Sequence, residues 1–188
     1  MKKADLRHVY RKKRAAINPQ TRAFNDQSIL NQFTGLNLPA VRYLHRYLPV
    51  ISQHEIPNEE LVNYLEELNP ALIQVVPYMS GDDMLSSVYP KYSSLKKNKW
   101  GIDEPVQILP LDNLQIDCVI VPLLAFDLSG NRVGYGKGCY DRFLSACRPD
   151  VLKIGISYFA PVECITDTDE FDIPLNLCIT PEKLYEFG

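Results

Sequence analysis

The sequence lacks the features that mark several common classes of protein. Its longest apolar run, Cys118 to Phe126, has nine residues and includes Pro122, well short of the roughly 20 that a membrane-spanning helix needs. No apolar segment follows the basic first residues, so we expect neither a secretory signal nor a membrane-spanning helix. The five cysteines are odd in number and form no CxxC pair, which favours reduced thiols and a cytoplasmic location.

Several catalytic motifs are absent as well. No GxSxG occurs, and the SxxK match at Ser93 to Lys96 lacks its companion motifs, so a serine hydrolase is disfavoured. The three histidines and the scattered cysteines lack the paired spacing of zinc ligands. The chain also has neither a Walker A loop nor a GxGxxG directly after a strand, which disfavours the two most common nucleotide-binding motifs.

What is present is typical of a globular α/β protein. The 188 residues are 46% hydrophobic and 23% charged, values that favour a single domain over residues 1–188. Helices are predicted over 3–17, 19–33 and 57–68, and strands over 41–48, 72–77, 117–122, 152–156 and 177–180. Residues 78–105 are predicted as a long functional loop that could include a hairpin at Gly81-Asp82, and 177–180 as the last strand. Helices alternating with short apolar strands indicate an α/β sandwich with a mostly parallel sheet.

Charge is distributed unevenly along the chain. Eight of the 20 Lys and Arg residues lie in the first 22 positions beside a single acid, Asp5, which leaves 12 basic and 22 acidic residues in the remainder. Lys3, Arg7, Arg11 and Arg14 are predicted to share one helix face. Such a row suggests an anionic partner, such as nucleic acid, a membrane surface or a phosphorylated small molecule, with a simple solvated face as the alternative.

The most distinctive segment is residues 121–144, VPLLAFDLSGNRVGYGKGCYDRFL. Gly134, Gly136 and Gly138 alternate, and the apolar spacing after them predicts a helix. Glycines let a backbone wrap closely around an anion, and a helix N-terminus presents free N–H groups and a positive dipole. Lys137 adds charge inside the loop. The combination indicates a phosphate site, and a glycine-rich turn without a ligand is the alternative.

Two charged residues flank this loop. Arg132 precedes it and can add positive charge, and Asp141 lies in the first turn of the predicted helix. A carboxylate there can simply complement the helix dipole. Beside a bound polyphosphate it would instead need a bridging cation, and Mg²⁺ commonly takes one or two carboxylates together with phosphate oxygens.

Residues 121–144 resemble the signature of the 5-formyltetrahydrofolate cyclo-ligases, also called 5,10-methenyltetrahydrofolate synthetases. That signature runs VP-x-LAFD-x-x-G-x-R-[LV]-G-x-G-x-G-x-YDR-x-L. Weaker similarities occur in the expected order elsewhere: K-x-x-L-R at Lys3 to Arg7, YLP…EI at Tyr47 to Ile56, GI-x-EP at Gly101 to Pro105, and DIPL…ITP at Asp172 to Pro181. The resemblance therefore covers most of the chain.

The resemblance implies an α/β enzyme with a three-layer α/β/α sandwich, similar to sugar-phosphate isomerases and CoA transferases. It implies Mg²⁺- and ATP-dependent conversion of 5-formyltetrahydrofolate to 5,10-methenyltetrahydrofolate, with release of ADP and phosphate. The formyl oxygen would be phosphorylated first, and N10 would then close the ring. ATP and the folate are the expected partners, with no nucleic acid and no membrane, and a monomer is expected.

The resemblance also implies which residues bind each ligand. ATP is expected to contact Lys3, Ala4, Asp5, Leu6, Arg7, Arg132, Val133, Gly134, Tyr135, Gly136, Lys137, Gly138, Cys139 and Tyr140. The folate is expected to contact Arg7, Val50, Glu55, Tyr135 and Tyr140. Lys137 and Arg7 are the expected catalytic residues, and Asp141 and Asp172 the expected metal ligands.

This sequence departs from the family pattern near two of those residues. Asn176 stands where many relatives carry a second aspartate, four residues after Asp172, so the second metal ligand is open. Cys139 replaces the first tyrosine of the usual YY pair. Two alternatives stay open: a phosphate-binding isomerase of similar fold, which would leave Glu55 and the Lys3/Arg7 pair unexplained, and a nucleic-acid binder, which the acidic remainder of the chain disfavours.

Overall fold

The computed structural model describes residues 1–91 and 93–187. Within these residues the helices are α1 (Lys3–Ala15), α2 (Pro19–Thr34), α3 (Glu59–Leu68) and α4 (Cys139–Ser145). The strands are β1 (Tyr43–His45), β2 (Ile73–Ser80), β3 (Asp83–Val88), β4 (Leu95–Lys97), β5 (Asp103–Pro105), β6 (Pro110–Leu111), β7 (Cys118–Val121), β8 (Ala125–Phe126), β9 (Arg132–Val133), β10 (Leu152–Ile156), β11 (Leu177–Ile179) and β12 (Leu184–Glu186). None of the described helices is long and apolar enough to cross a membrane.

The main sheet has eight strands in the order β12-β11-β10-β7-β1-β2-β3-β6. The five inner strands, from β11 to β2, pair in parallel, and the outer strands β12, β3 and β6 pair antiparallel to their neighbours. The prediction of a mostly parallel sheet is confirmed. β1 lies at its centre, because Leu44 is in register with Gln74 of β2 on one side and with Cys118 of β7 on the other.

Apolar side chains cover both faces of the sheet. Cys118 and Ile120 of β7 face a core that contains Ile29 and Phe33 of α2. The alternate β7 residues face a second core with Phe143 of α4. A strand buried on both faces reads as a continuous apolar run, which is why β7 was predictable to within one residue at each end. The helices flank the sheet on both sides, which confirms the expected three-layer arrangement.

The interpretation of residues 78–105 as one long loop is wrong, but the hairpin at Gly81-Asp82 is confirmed. β2 continues to Ser80 and turns directly into β3, with Ser80 in register with Asp83. Gly81 occupies the turn with φ +65°, a value that favours glycine. The segment also contains β4 and β5, which pair with each other. Polar side chains on β3 hid the pattern, because Ser86 and Ser87 are buried while the apolar Leu85 beside them is exposed.

Two predicted boundaries also differ from the structure. β12 follows the strand predicted to be the last, and it pairs antiparallel with β11. Three residues carry too little periodicity to be recognised as a strand. α1 ends at Ala15 rather than 17, and the backbone N–H groups of Ala16 and Ile17 close its last turn. α2 begins as predicted at Pro19, where the Asn18 side chain caps it by accepting from the backbone of Thr21.

α1 packs against the small two-stranded sheet formed by β8 and β9. Leu6 and Tyr10 of α1 meet Leu124, Ala125 and Val133 in a third buried cluster. β8 and β9 belong to the connection that leaves the carboxyl end of β7. This packing therefore places the basic helix over the carboxyl edge of the parallel strands, where α/β proteins usually bind their ligands.

Candidate active site

Two loops meet at this edge of the sheet. One follows β1 and carries Val50 and Glu55; the other follows β7 and carries the glycines of residues 134–138. β1 and β7 are parallel neighbours, so both loops leave the sheet on the same side. α1 crosses the glycine loop and reaches both. The residues expected to bind the folate and those expected to bind ATP are therefore adjacent.

The Arg7 side chain contacts the glycine loop at Gly134 and Gly136. Its Nε donates to the carbonyl oxygen of Gly134 at 3.1 Å. Gly136 has φ +96°, and a Cβ atom there would lie 3.1 Å from both Cζ and Nε of Arg7. A side chain at 136 would strain the backbone and displace the guanidinium. The structure thus brings together Arg7 and the glycine loop, which the sequence assigned to one site from distant parts of the chain.

The glycine loop leads directly into α4. Gly138 precedes the helix with φ +64°, a left-handed conformation that redirects the chain. Cys139 and Tyr140 begin the helix and Asp141 lies in its first turn, as predicted. The seven-residue helix is anchored beneath the loop by Phe143 and Leu144, which are buried.

The two expected metal ligands are each paired with a cation. Asp141 Oδ1 accepts from Arg132 Nη2 at 2.7 Å and from the backbone N–H of Ile173 at 3.2 Å. Both oxygens of Asp172 accept from Lys3 Nζ, at 2.7 Å for Oδ1. Arg132 also donates to the carbonyl oxygen of Ile173. These bonds join α1, β9, α4 and residues 172–173 into one connected group.

Burial affects this group unequally. Arg132 is largely buried, and burial lowers the pKa of its guanidinium, while the neighbouring Asp141 and Asp172 charges oppose that shift.

Among residues 1–91 and 93–187, no three His, Cys, Asp or Glu side chains cluster as a ready metal site. Asp141 keeps its Oδ2 free of hydrogen bonds within the described chain, so it fits a cation that also binds phosphate. Asp172 would first have to release Lys3.

Glu55 is held by a chain of short hydrogen bonds. Its Oε2 accepts from the backbone N–H of Val50 at 2.7 Å, and its Oε1 accepts from the Tyr135 hydroxyl at 2.5 Å. The same hydroxyl accepts from Arg14 Nη2 at 2.6 Å. Val50, Glu55 and Tyr135, all expected at the folate site, are therefore in direct contact.

Tyr140 lies close to the same carboxylate. Burial raises the pKa of Tyr140, and the charge of Glu55 adds to the effect. The ring packs edge-on against His45 and Phe143. The hydroxyl of Tyr140 and both ring nitrogens of His45 are buried without a hydrogen-bond partner among the described residues. Burial lowers the pKa of His45 to about 3, so this imidazole is neutral.

Lys137 is exposed at the tip of the glycine loop. Its Nζ lies 4.7 Å from the ring centroid of Trp100, and Nζ of Lys99 lies 4.3 Å from the same centroid. No carboxylate of the described chain forms a salt bridge with Lys137. Its charge is therefore available to an incoming anion. The partner Trp100 sits in the turn between β4 and β5, a segment that was predicted as loop.

Arg14 is buried, contrary to the prediction from the sequence. It was placed on the exposed basic face with Arg7 and Arg11, but the structure leaves only 4% of it exposed. A signal was present, because Leu6, Tyr10 and Arg14 are spaced by four and line the buried face of α1. Arg14 was nevertheless assigned to the exposed basic face because its side chain is charged.

An open, mostly parallel sheet with a glycine loop and cations at its carboxyl edge is typical of α/β enzymes that act on phosphorylated small molecules. The model of the 5-formyltetrahydrofolate cyclo-ligase family matches residues 1–181. The chain belongs to that family, and the resemblance seen in residues 121–144 is confirmed over nearly the whole sequence.

Individual relatives agree with this assignment. The 5-formyltetrahydrofolate cyclo-ligase of Mycoplasma genitalium is 30% identical over 179 residues, covering 94% of this chain and 97% of that protein. The Escherichia coli protein of the same name is 28% identical over 187 residues, covering 95% and 100%. The NMR structure of Aquifex aeolicus 5,10-methenyltetrahydrofolate synthetase is similar with a TM-score of 0.82 at 26% identity, covering 99% of this chain and 93% of that one.

Proposed function

We propose that the protein converts 5-formyltetrahydrofolate to 5,10-methenyltetrahydrofolate at the expense of ATP, with Mg²⁺ as cofactor and release of ADP and phosphate. The observation that carries the proposal is the position of Tyr135. This residue lies between Gly134 and Gly136, which contact Arg7, while its hydroxyl bonds to Glu55. Tyr135 is therefore part of the phosphate-type loop and also contacts a carboxylate suited to a folate ring.

The polyphosphate would lie along the glycine loop. Arg7 and Lys137 supply positive charge there, and the backbone of residues 134–138 can approach closely because a side chain is missing at three positions. Lys3 is a further cation of α1, four residues before Arg7, and phosphate oxygens would compete with Asp172 for it. Arg132 supports the loop from beneath through Asp141.

The folate would place its pterin ring against Glu55. A carboxylate accepts hydrogen bonds only, and the pterin presents an amino group and a ring N–H on one edge. Val50 and Tyr135 fix the carboxylate, and the Tyr140 ring lies nearby. Arg7 contacts the glycines on both sides of Tyr135, so it would contact both substrates.

The reaction proceeds in two substitutions in this proposal. The formyl oxygen attacks the γ-phosphorus, an O–P bond forms, and the bond from that phosphorus to ADP breaks with the electron pair leaving on ADP. N10 then attacks the formyl carbon, loses its proton, and the C–O bond to phosphate breaks. Both steps depend on alignment and on neutralising phosphate charge more than on a strong base, which suits a site rich in Arg and Lys.

Asp141 would hold the Mg²⁺ through its free oxygen, with Asp172 as a second ligand once Lys3 moves to phosphate. When bound, Mg²⁺ supplies positive charge to the phosphate oxygens and orients them. Asn176, which replaces an acidic residue of many relatives, already accepts a hydrogen bond at its side-chain oxygen from the backbone N–H of Lys153. Its position in that bond supports a structural role for Asn176 rather than metal binding.

The test is an absorbance assay for the methenyl product in the near ultraviolet at neutral pH. Purified protein is mixed with 5-formyltetrahydrofolate, and parallel samples lack ATP, lack Mg²⁺ or contain ADP in place of ATP. We expect product only when both ATP and Mg²⁺ are present, with one ADP released per product. Product formation without ATP, or none in the complete mixture, would overturn the proposal.

A further inference from the structure

Arg14 is a buried cation without a carboxylate in direct contact. The guanidinium forms no salt bridge with any described residue. Its partners are the carbonyl oxygen of Leu123 at 3.3 Å and the Tyr135 hydroxyl at 2.6 Å, and its Nε has no partner within the described chain. Burying a charge is costly unless it is compensated. An apolar residue would pack at this position without that cost, as Leu6 does on the same buried face of α1.

The direction of the hydrogen bonds around Tyr135 is fixed. A guanidinium can only donate, so the hydroxyl oxygen must accept from Arg14. The single hydroxyl proton is then directed to Glu55, 2.5 Å away. Burial and the Glu55 charge together raise the pKa of Tyr135, and the proton stays on the hydroxyl. The positive charge of Arg14 is thus balanced by Glu55 through one intervening hydroxyl.

This order determines what Glu55 offers a ligand. Each carboxylate oxygen can accept about two hydrogen bonds, and each already accepts one, from Val50 or from Tyr135. One acceptor position remains on each oxygen. Two adjacent acceptors match two adjacent N–H donors, as on the edge of a 2-amino-4-oxo pyrimidine ring. If Arg14 were missing, the hydroxyl could rotate away and Glu55 could turn with it.

The same turn of α1 is tied to the Glu55 loop by a second route. Arg22 of α2 donates to the backbone carbonyl of Arg14 at 3.1 Å and to that of His54 at 3.3 Å. His54 directly precedes Glu55 and has φ +54°, a conformation that non-glycine residues seldom adopt. The backbone of the loop is therefore fixed beside the carboxylate, and the Arg14 side chain fixes the carboxylate itself.

We propose that Arg14 is a positioning residue for the folate site: through the Tyr135 hydroxyl it holds Glu55 in the orientation that accepts two neighbouring N–H groups of the substrate. The inference rests on the proposed function and deepens it. It concerns the binding of the folate and not the transfer of phosphate, so its effect falls on folate affinity.

The test compares Arg14→Met, Arg14→Lys, Tyr135→Phe and the double variant Arg14→Met/Tyr135→Phe. Lys12→Met is the matched control, because Lys12 is an exposed cation of α1. Affinity for 5-formyltetrahydrofolate is measured by calorimetry without ATP, and KM and kcat are measured in the absorbance assay. Thermal unfolding monitors the fold of each variant.

We expect Arg14→Met and Tyr135→Phe each to weaken folate binding about tenfold, the usual scale for losing a charge-assisted hydrogen bond. KM for the folate should rise in parallel while kcat and KM for ATP change less than threefold. The double variant should be no weaker than the worse single variant, because both remove the same chain of bonds. Arg14→Lys should recover part of the affinity, and Lys12→Met should match the wild type.

Other outcomes count against the inference. Unchanged folate affinity in Tyr135→Phe, which loses a single oxygen atom, overturns it even if Arg14→Met fails to fold. Losses that multiply in the double variant would show that the two residues act separately, and the inference would fall. A wild-type protein that makes no methenyl product overturns the proposed function instead. An active wild type with normal folate affinity in every variant overturns the role of Arg14 alone.

Discussion

The two ends of α1 hold their cations in opposite ways. Near its carboxyl end, Arg14 is buried and reaches Glu55 only through the Tyr135 hydroxyl. Near its amino end, Lys3 contacts Asp172 directly at 2.7 Å. We call the group around Glu55 (Arg14, Tyr135, Tyr140 and Val50) the pterin side, and the group of Lys3, Arg7, Lys137, Asp141 and Asp172 the phosphate side.

The difference concerns what each side must do when its ligand arrives. The hydrogen bonds of the pterin side leave acceptor positions open, so a ligand can add to them without breaking any. On the phosphate side, Lys3 and Asp172 are paired with each other. A phosphate must therefore displace Asp172 from Lys3, and a metal cation must displace Lys3 from Asp172. The pterin side is therefore organised in advance, while the phosphate side exchanges partners on binding.

Lys137→Ala should give the largest effect, because Lys137, like Arg7, has no carboxylate partner in the described chain, and its exposed ammonium group is free to meet a phosphate. We expect kcat to fall about 100-fold or more, the scale for removing one group that stabilises developing charge. The fold should be unaffected, since the side chain is exposed. The measurement is the initial rate of methenyl formation at saturating substrates.

Lys99→Ala is the control for this variant, because Lys99 approaches the same Trp100 ring. Its rate should stay within about twofold of the wild type. Equal losses in the two variants would mean that the Trp100 contact, rather than phosphate binding, explains the effect of Lys137.

Gly136→Ala should destabilise the glycine loop and displace Arg7. A residue with a Cβ at φ +96° costs about 1–3 kcal/mol of folding free energy, and the Cβ would press on the guanidinium at 3.1 Å. We expect a rise in KM for ATP together with a lower free energy of unfolding in urea. Gly35→Ala, at φ −80° and with only an ordinary contact at 3.5 Å, should leave both values nearly unchanged.

His45, which packs against Tyr140 of the pterin side, allows a test of how completely this part of the core excludes water. Its pKa is lowered from its ordinary value near 6.5 to about 3, so between these values only the unfolded chain takes up the proton. The stability contribution is present above pH 6.5 and is lost as the pH falls toward 3. From pH 7 to pH 5 we expect the free energy of unfolding to fall by about 2 kcal/mol through this group.

His45→Phe should remove that pH dependence, because a phenyl ring can pack on Phe143 as the imidazole does, at a centroid distance of 4.5 Å. Urea unfolding at pH 7 and pH 5 gives the comparison. His8→Asn changes an exposed histidine and should keep the wild-type difference. An identical pH difference in wild type and His45→Phe would mean that water reaches the imidazole.

Asp141→Asn should give the smallest effect of the series. The amide can still accept from Arg132, but it lacks the charge that attracts a cation. We expect the Mg²⁺ concentration at half-maximal rate to rise about tenfold, with little change in stability. Asp150→Asn alters an exposed carboxylate paired with Arg148 and should leave the Mg²⁺ titration unchanged. An unaltered titration in Asp141→Asn would remove this residue from the metal site.

The sequence predicted those elements whose burial follows a simple period. β7 was found because it is apolar on two faces, β10 because Leu152, Ile154 and Ile156 form an apolar alternation, and α2 because Asn18 and Pro19 mark its start. The short strands β6, β8, β9 and β12 have two or three residues each, so no alternation could be recognised. Their existence depends on partners elsewhere in the chain.

The residues of the candidate site also differ in how far they could be predicted from local sequence. The glycine loop and its helix were readable from local spacing, because a loop of this kind is continuous in sequence. Glu55 entered only through the family resemblance, and Arg14 was assigned to the wrong face. Both are defined by contacts with Tyr135, 80 and 121 residues away. A single sequence carries no local trace of such a pairing.

The docking of α1 has a consequence for how the protein is made. The helix is synthesised before its partners, which lie far downstream: Leu123 is 109 residues after Arg14, and Asp172 is 169 residues after Lys3. Contacts of such long range form late in folding. On the ribosome, α1 must therefore remain solvated until most of the chain has emerged. A nascent chain that stalls before residue 135 has no acceptor for Arg14 at that hydroxyl, so the folate site cannot form until Tyr135 has emerged.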